Sequence, residues 1–223
     1  MGLYLQRFIF IFICFGILAT TETGCASKAR DIMYSAYEKI CIQKRDLLKK
    51  RIKTARDDQK EASETFTDAL DKLCSVYNVD GGELEKRYDK LKSSYDKATS
   101  EASDVKTSIE KVETVATDLF KEWEKEDGEI QAGDLRAKSQ KQLAETKTRY
   151  NEMLASLKQS ESRMQPVLTA FKDQVLYMKH NLNAQAIASL KGESLKIEQN
   201  ITQLIERMNK SIKDADEFIA RLP

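Results

Sequence analysis

The sequence predicts an all-α protein, an elongated antiparallel helical bundle or coiled coil of three to four long helices. Three observations predict it. Apolar residues recur at alternating steps of three and four along most of the chain, the spacing that lays one helix face against another. Only 8 glycines and 2 prolines occur in 223 residues, too few for a fold rich in strands and tight turns. No alternating apolar run bounded by turn residues reads as a strand. The 37 Lys and Arg nearly cancel the 36 Asp and Glu. That balance argues against a nucleic-acid partner, whose binder carries a basic surplus or stripe.

The N-terminus reads as a targeting segment. Phe8 to Ala19 (FIFIFICFGILA) is apolar and follows Arg7. It has the length of a signal-peptide core and is short of the roughly 20 residues a spanning helix needs. Residues 1–24 are expected to be a lipoprotein-type signal peptide, 25–29 a short tether, and 30–223 one helical domain. Gly24-Cys25 reads as a lipobox, with Cys25 diacylated as the new N-terminus. Glu22 departs from that pattern, which has an aliphatic residue at its place. The alternatives are ordinary cleavage near Gly24 or Ala26, giving a soluble periplasmic product, and an uncleaved anchor. Ala26 after the cysteine, where aspartate favours inner-membrane retention, leans toward the outer membrane.

A first helix is expected over about residues 30–77. Leu48, Ile52, Ala55, Gln59, Ala62, Phe66, Ala69, Leu73 and Val76 form its seam. Gln59 and the three alanines make that seam thin, so backbones approach closely. Extended backwards, the seam takes in Cys41. On one helix Cys41 and Cys74 are 33 residues apart, about 50 Å at about 1.5 Å per residue. A disulfide between them is therefore excluded. No Cys-x-x-Cys or Cys/His spacing fits a metal site, and no cofactor is implied.

Asn78 to Gly82 (NVDGG) is a turn, and Asp80 with Glu83 reads as a capping-box variant opening a second helix over 81–127. Its seam runs Leu84, Tyr88, Leu91, Tyr95, Ala98, Ala102, Val105, Ile109, Val112, Ala116, Leu119, Trp123 without a skip. Tyr88, Tyr95 and Trp123 read as core side chains with polar tips at the rim. Helices one and two, each of about 47 residues, would span about 70 Å. The short turn between them makes them antiparallel.

Two glycines in Glu126 to Asp134 (EDGEIQAGD) break the pattern, and Asp134 reads as the N-cap of a third helix over 134–191. Its seam passes through Leu143, Thr146, Tyr150, Met153, Leu157, Ser160 and Met164. At Pro166 the register steps by four where three is due, continuing through Leu168, Phe171, Val175, Met178 and Leu182. A kink at the proline is the favoured reading, and a true break there is the alternative. Gly192 marks a turn or a weak point before a fourth helix over 193–222, carrying Ile201, Leu204, Ile205, Met208, Ile212, Ala215, Ile219 and Leu222. That helix either folds back or extends as a shaft.

Chemical individuality gathers in Met164 to Leu190, which holds the single histidine and Pro166. Asp173, Tyr177, His180, Asn181 and Gln185 each fall within about one turn of the next, beside the Phe171–Leu182 seam. They form a candidate polar seam that fixes helix register, or a binding strip. One histidine without a serine or cysteine nearby does not make a triad or a metal cage.

KDQVLYMKHNLNAQAIASLKGE, together with EKICIQKRDLLKKRIKTARDDQKEA, NVDGGELEKRYDKL and LFKEWEKE, resembles a proteobacterial family catalogued as domain of unknown function 2959. Many members of that family carry a lipoprotein-type signal. The resemblance implies an envelope protein with an all-helical domain, and it brings no activity. The leading expectation is a non-enzymatic, membrane-tethered scaffold or spacer that self-associates or holds an envelope partner. The alternatives are a periplasmic module binding a peptide or lipid near Tyr177–Asn183, and a hydrolase using His180 and Asp173.

Overall fold

The computed structural model of the protein describes residues 44–77, 83–183, 185 and 191–222. Four long helices fill them, with no strand among the described residues. They are α1 Lys44–Tyr77 (34 residues), α2 Leu84–Glu129 (46 residues), α3 Gly133–His180 (48 residues) and α4 Lys191–Arg221 (31 residues). Each packs on its neighbour in chain order, and α4 closes the ring against α1.

Neighbours run antiparallel. Lys44 meets Glu122 while Arg87 meets Ser75. Trp123 meets Ser139 while Glu113 meets Lys158. Tyr150 meets Phe218 while Ser160 meets Ser211. In every pair a rising residue number faces a falling one. This is an up-down-up-down four-helix bundle, in which the diagonal pair α1 and α3 run parallel.

The heptad seams became the core. None of the nine α1 seam residues from Leu48 to Val76 is more than 1% exposed. In α2 the buried line drifts. Leu84, Leu91 and Ala98 hold the seam early, whereas Ser108, Val115 and Phe120 join it later. A straight helix turns about 20° per heptad away from a 3.5-residue repeat, so a fixed spacing wanders across the face. Tyr88, Tyr95 and Trp123 are accordingly half-buried.

Several boundaries differ from those read off the sequence. Asp80 lies outside the described residues, and Glu83 is itself the N-cap of α2, with no side-chain capping bond. Ala132 caps α3, which places Asp134 in the first turn, where its charge complements the helix dipole. The Arg136 side chain reaches back from α3 to the Ile130 carbonyl at the end of α2. That contact ties the short connection between them.

α3 is one helix through Pro166, so the alternative reading of a true break there is set aside. The register slip is absent. Met164, Val167, Phe171, Gln174 and Met178 are buried and keep the three-four alternation, with Leu168 and Val175 widening the stripe. The helix ends at His180 instead of near 191. The Asn181 side chain donates back to the Tyr177 carbonyl (2.9 Å), and its backbone N–H turns to Met178 (3.1 Å). Asparagine supplies such local bonds readily and competes with helix continuation. α4 folds back, and Gly192 sits inside its first turn.

Candidate functional site

The candidate strip does not share the core. Asp173, Tyr177, His180 and Gln185 are exposed, and Asn181 is half-buried. The cause is helical geometry. At about 100° per residue, positions 173, 177 and 180 centre on the side of α3 opposite Phe171, Gln174, Val175 and Met178. The expectation of a partly buried register strip is corrected on that ground. The same outward face carries Leu176 (47% exposed) and Tyr177 (40%), with Leu182 (37%) just past the helix end. Cys25 and Cys41 lie outside the described residues.

The buried polar groups that join helices are elsewhere. Gln59 of α1, Ser160 of α3 and Ser211 of α4 are all fully buried. Gln59 Nε2 donates to Ser160 Oγ at 2.7 Å. Ser160 Oγ donates to its own-helix carbonyl at Leu157 (2.8 Å) and lies 3.4 Å from Ser211 Oγ. The Ser211 proton is shared between the Met208 carbonyl (2.9 Å) and Gln59 Oε1 (3.2 Å). Both ends of the amide and both hydroxyls are thus satisfied inside an apolar bundle. The layer works at one axial alignment of three helices, because a slip of one turn would strand the amide among methyl groups. The partners of both serines are an amide, a hydroxyl and backbone carbonyls, none of them the general base that activates a serine nucleophile.

A second polar tie lies toward the end of the bundle where α1 stops. Tyr77 donates to Gln174 Oε1 at 2.8 Å, joining α1 to α3 across the diagonal. Burial pushes the Tyr77 hydroxyl up to about 12, with the Cys74 charge adding to it. The phenol therefore stays a proton donor at any physiological pH. At the α2–α3 end, Trp123 Nε1 donates to Ser139 Oγ (2.9 Å), and Ser139 donates to the buried Asp127. Both ties sit where the chain reverses direction.

Gln59 and Ser160 were legible in the sequence, whereas Gln174 and Ser211 were not. Gln59 and Ser160 stand on predicted seams, and a polar residue at a seam position is the available signal. Ser211 and Gln174 lie one residue before apolar positions that the spacing favoured, Ile212 and Val175.

Among the described residues, no three His, Cys, Asp or Glu side chains converge as metal ligands. The half-buried Cys74 thiol is pushed up by burial first and then by Glu198 and Asp71, which works against thiolate reactivity. No described helix is long and apolar enough to cross a membrane.

No curated protein and no solved structure matches the chain. The profile of the family described as "Protein of unknown function (DUF2959)" matches residues 33–222. That span takes in all four helices, their seams and the buried Gln59–Ser160–Ser211 layer, and the chain belongs to this family.

Proposed function

We propose that the protein is a non-enzymatic helical scaffold or spacer of the bacterial cell envelope, anchored to a membrane through a lipid on Cys25 and acting through helix–helix contacts. One observation carries this reading. The buried polar side chains that join helices at Gln59–Ser160–Ser211 and at Tyr77–Gln174 are satisfied by one another. The bundle then offers a partner its length and a largely charged helical surface. The 46 residues of α2 make a rod of about 70 Å at about 1.5 Å per residue. Gly24-Cys25 after the apolar run supports the anchor, and Ala26 supports the outer membrane as its site. The near-equal counts of acidic and basic residues leave nucleic acid out of the proposal.

The hydrolase reading loses support from α3. Asp173 and His180 stand two turns apart, about 10 Å along the axis, on an exposed face. The binding-module reading keeps one specific support. Leu176, Tyr177 and Leu182 expose apolar surface around the Tyr177–Asn183 segment, a feature of contact sites.

The test is a Cys25→Ser variant of the full chain, followed by lipid labelling, membrane fractionation and crosslinking in intact envelopes. Lost labelling with release from membranes, and defined protein crosslinks in the wild type, are expected. Unchanged labelling in the variant sinks the anchor. A turnover activity that disappears with His180→Ala while the fold persists sinks the scaffold.

A further inference from the structure

The α3–α4 groove carries its charges unevenly. Toward the α4 C-terminus, one cleft of it is lined by Arg149, Lys210 and Arg221 together with Glu152, Asp214 and Glu217. Cations and anions balance there. About three turns further along α3, a second cleft of 90 Å³ is lined by Arg163 and Arg207 with the carboxamides of Asn200 and Gln203, and no acidic side chain lines it. Its floor is the buried pair Val167 and Leu204.

The register explains why the two arginines meet. Ser160 faces Ser211 and Tyr150 faces Phe218. In an antiparallel pair that alignment brings Arg163 level with Arg207. Neither guanidinium makes an ion pair or a hydrogen bond among the described residues. Yet carboxylates hold their partners elsewhere on the same helices, at Lys158–Glu113 and Lys210–Asp214. Two like charges facing each other across a helix pair repel. A counter-ion relieves that repulsion.

We propose that this cleft binds an oxyanion of the phosphate class, held between the Arg163 and Arg207 guanidiniums and steadied by the Asn200 and Gln203 amides. The chemistry fits the donors. Guanidinium presents paired N–H groups in a fork that matches phosphate oxygens, and the two side-chain amides add neutral donors. The apolar floor lowers the local dielectric under the charges, which strengthens each bond. The cleft has room for about three waters at about 30 Å³ each, which suits one compact anion or one headgroup phosphate. This site is independent of the scaffold reading and does not involve Cys25.

The test uses the full chain, its R163Q/R207Q double variant, and an R163K/R207K variant that keeps charge without the fork. Thermal melts are run in inorganic phosphate and in potassium chloride of equal ionic strength. Flotation is run with vesicles of phosphatidylcholine, with and without phosphatidylglycerol. Phosphate is expected to raise the melting temperature beyond chloride most in the wild type, with about tenfold or greater weakening of phosphate binding in the glutamine variant. The lysine variant should fall between them. The glutamine variant should also melt higher than wild type in dilute chloride, since it removes a repulsion. If the source is a lipid headgroup, phosphatidylglycerol-dependent flotation appears and is lost in the glutamine variant. If the source is free phosphate, flotation is unaffected and the thermal effect stands alone. Equal melting in phosphate and chloride without phosphatidylglycerol-dependent flotation overturns the proposal, as does an undiminished effect in the folded glutamine variant.

Discussion

Removing the Ser160 hydroxyl should cost more than removing the group it serves. In Ser160→Ala the Gln59 amide loses its 2.7 Å acceptor. The Leu157 carbonyl remains, at 3.5 Å, too long for a good bond. A buried donor left in that state costs about 1–3 kcal/mol. For a domain of this size each kcal/mol shifts the melting temperature by about 2–4 °C, so a drop of about 2–12 °C is expected. Gln59→Leu behaves differently. It takes away the buried amide and fills the space with apolar atoms. Ser160 keeps its bond to Leu157 and Ser211 keeps its bond to Met208. Its cost should be about 0–1 kcal/mol, because no orphan remains. Adding Ser160→Ala to Gln59→Leu then costs little. The two single changes and the double, followed by urea and thermal unfolding with circular dichroism, form a double-mutant cycle. A coupling of at least about 1 kcal/mol is expected between residues in one network. Additive effects would refute the claim that the layer is one hydrogen-bonded unit.

Phe171→Ala should destabilise by about 3–5 kcal/mol, because the ring is fully buried and meets Tyr95 edge-on at 5.7 Å; a loss under about 1 kcal/mol in urea melts would contradict the packing. His180→Leu and Asp173→Ala sit on the exposed face of α3 and should change stability by no more than about 0.5 kcal/mol, so a large loss in either would return those residues to the core. Gly128→Ala should stabilise by up to about 0.5 kcal/mol, since Gly128 lies in the last turn of α2 and an added Cβ meets nothing within 4 Å; a lower melting temperature would count against it. Burial pushes the Asp58 carboxyl up, a bond from Ser108 works against this, and the charges of Asp104, Asp57 and Glu61 push it further up. Its folded pKa is above the unfolded value of about 3.9, so the folded state binds the proton more tightly and stability falls as pH rises through that window. Asp58→Asn should therefore raise the melting temperature at neutral pH and lose that gain in acid, whereas a gain independent of pH would show that the charge is not its cause.

The heptad spacing determined that the chain is helical and most of the residues each helix buries, and the short turn at Asn78–Gly82 determined that the first two helices run antiparallel. Those properties follow from local periodicity and short connections, and both are written in consecutive residues. The tertiary structure alone decided which polar residues meet. Leu48 to Val76 had to be buried somewhere, but whether Gln59 finds Ser160 and Ser211 or a wall of methyl groups depends on how three helices slide past one another. Axial alignment is set by the summed packing of all four helices. The polar strip shows the same limit at a smaller scale. Asp173, Tyr177 and His180 are close in sequence to Phe171, Val175 and Met178. Rotation about the α3 axis puts the first set in solvent and the second in the core. The Pro166 register illustrates it again. The sequence offers both Val167 and Leu168 as the next seam position, and only the neighbouring helices show that the bundle buries both. Side-chain pairing between helices is a property of relative rotation and translation, and one helix's sequence carries no coordinate for either.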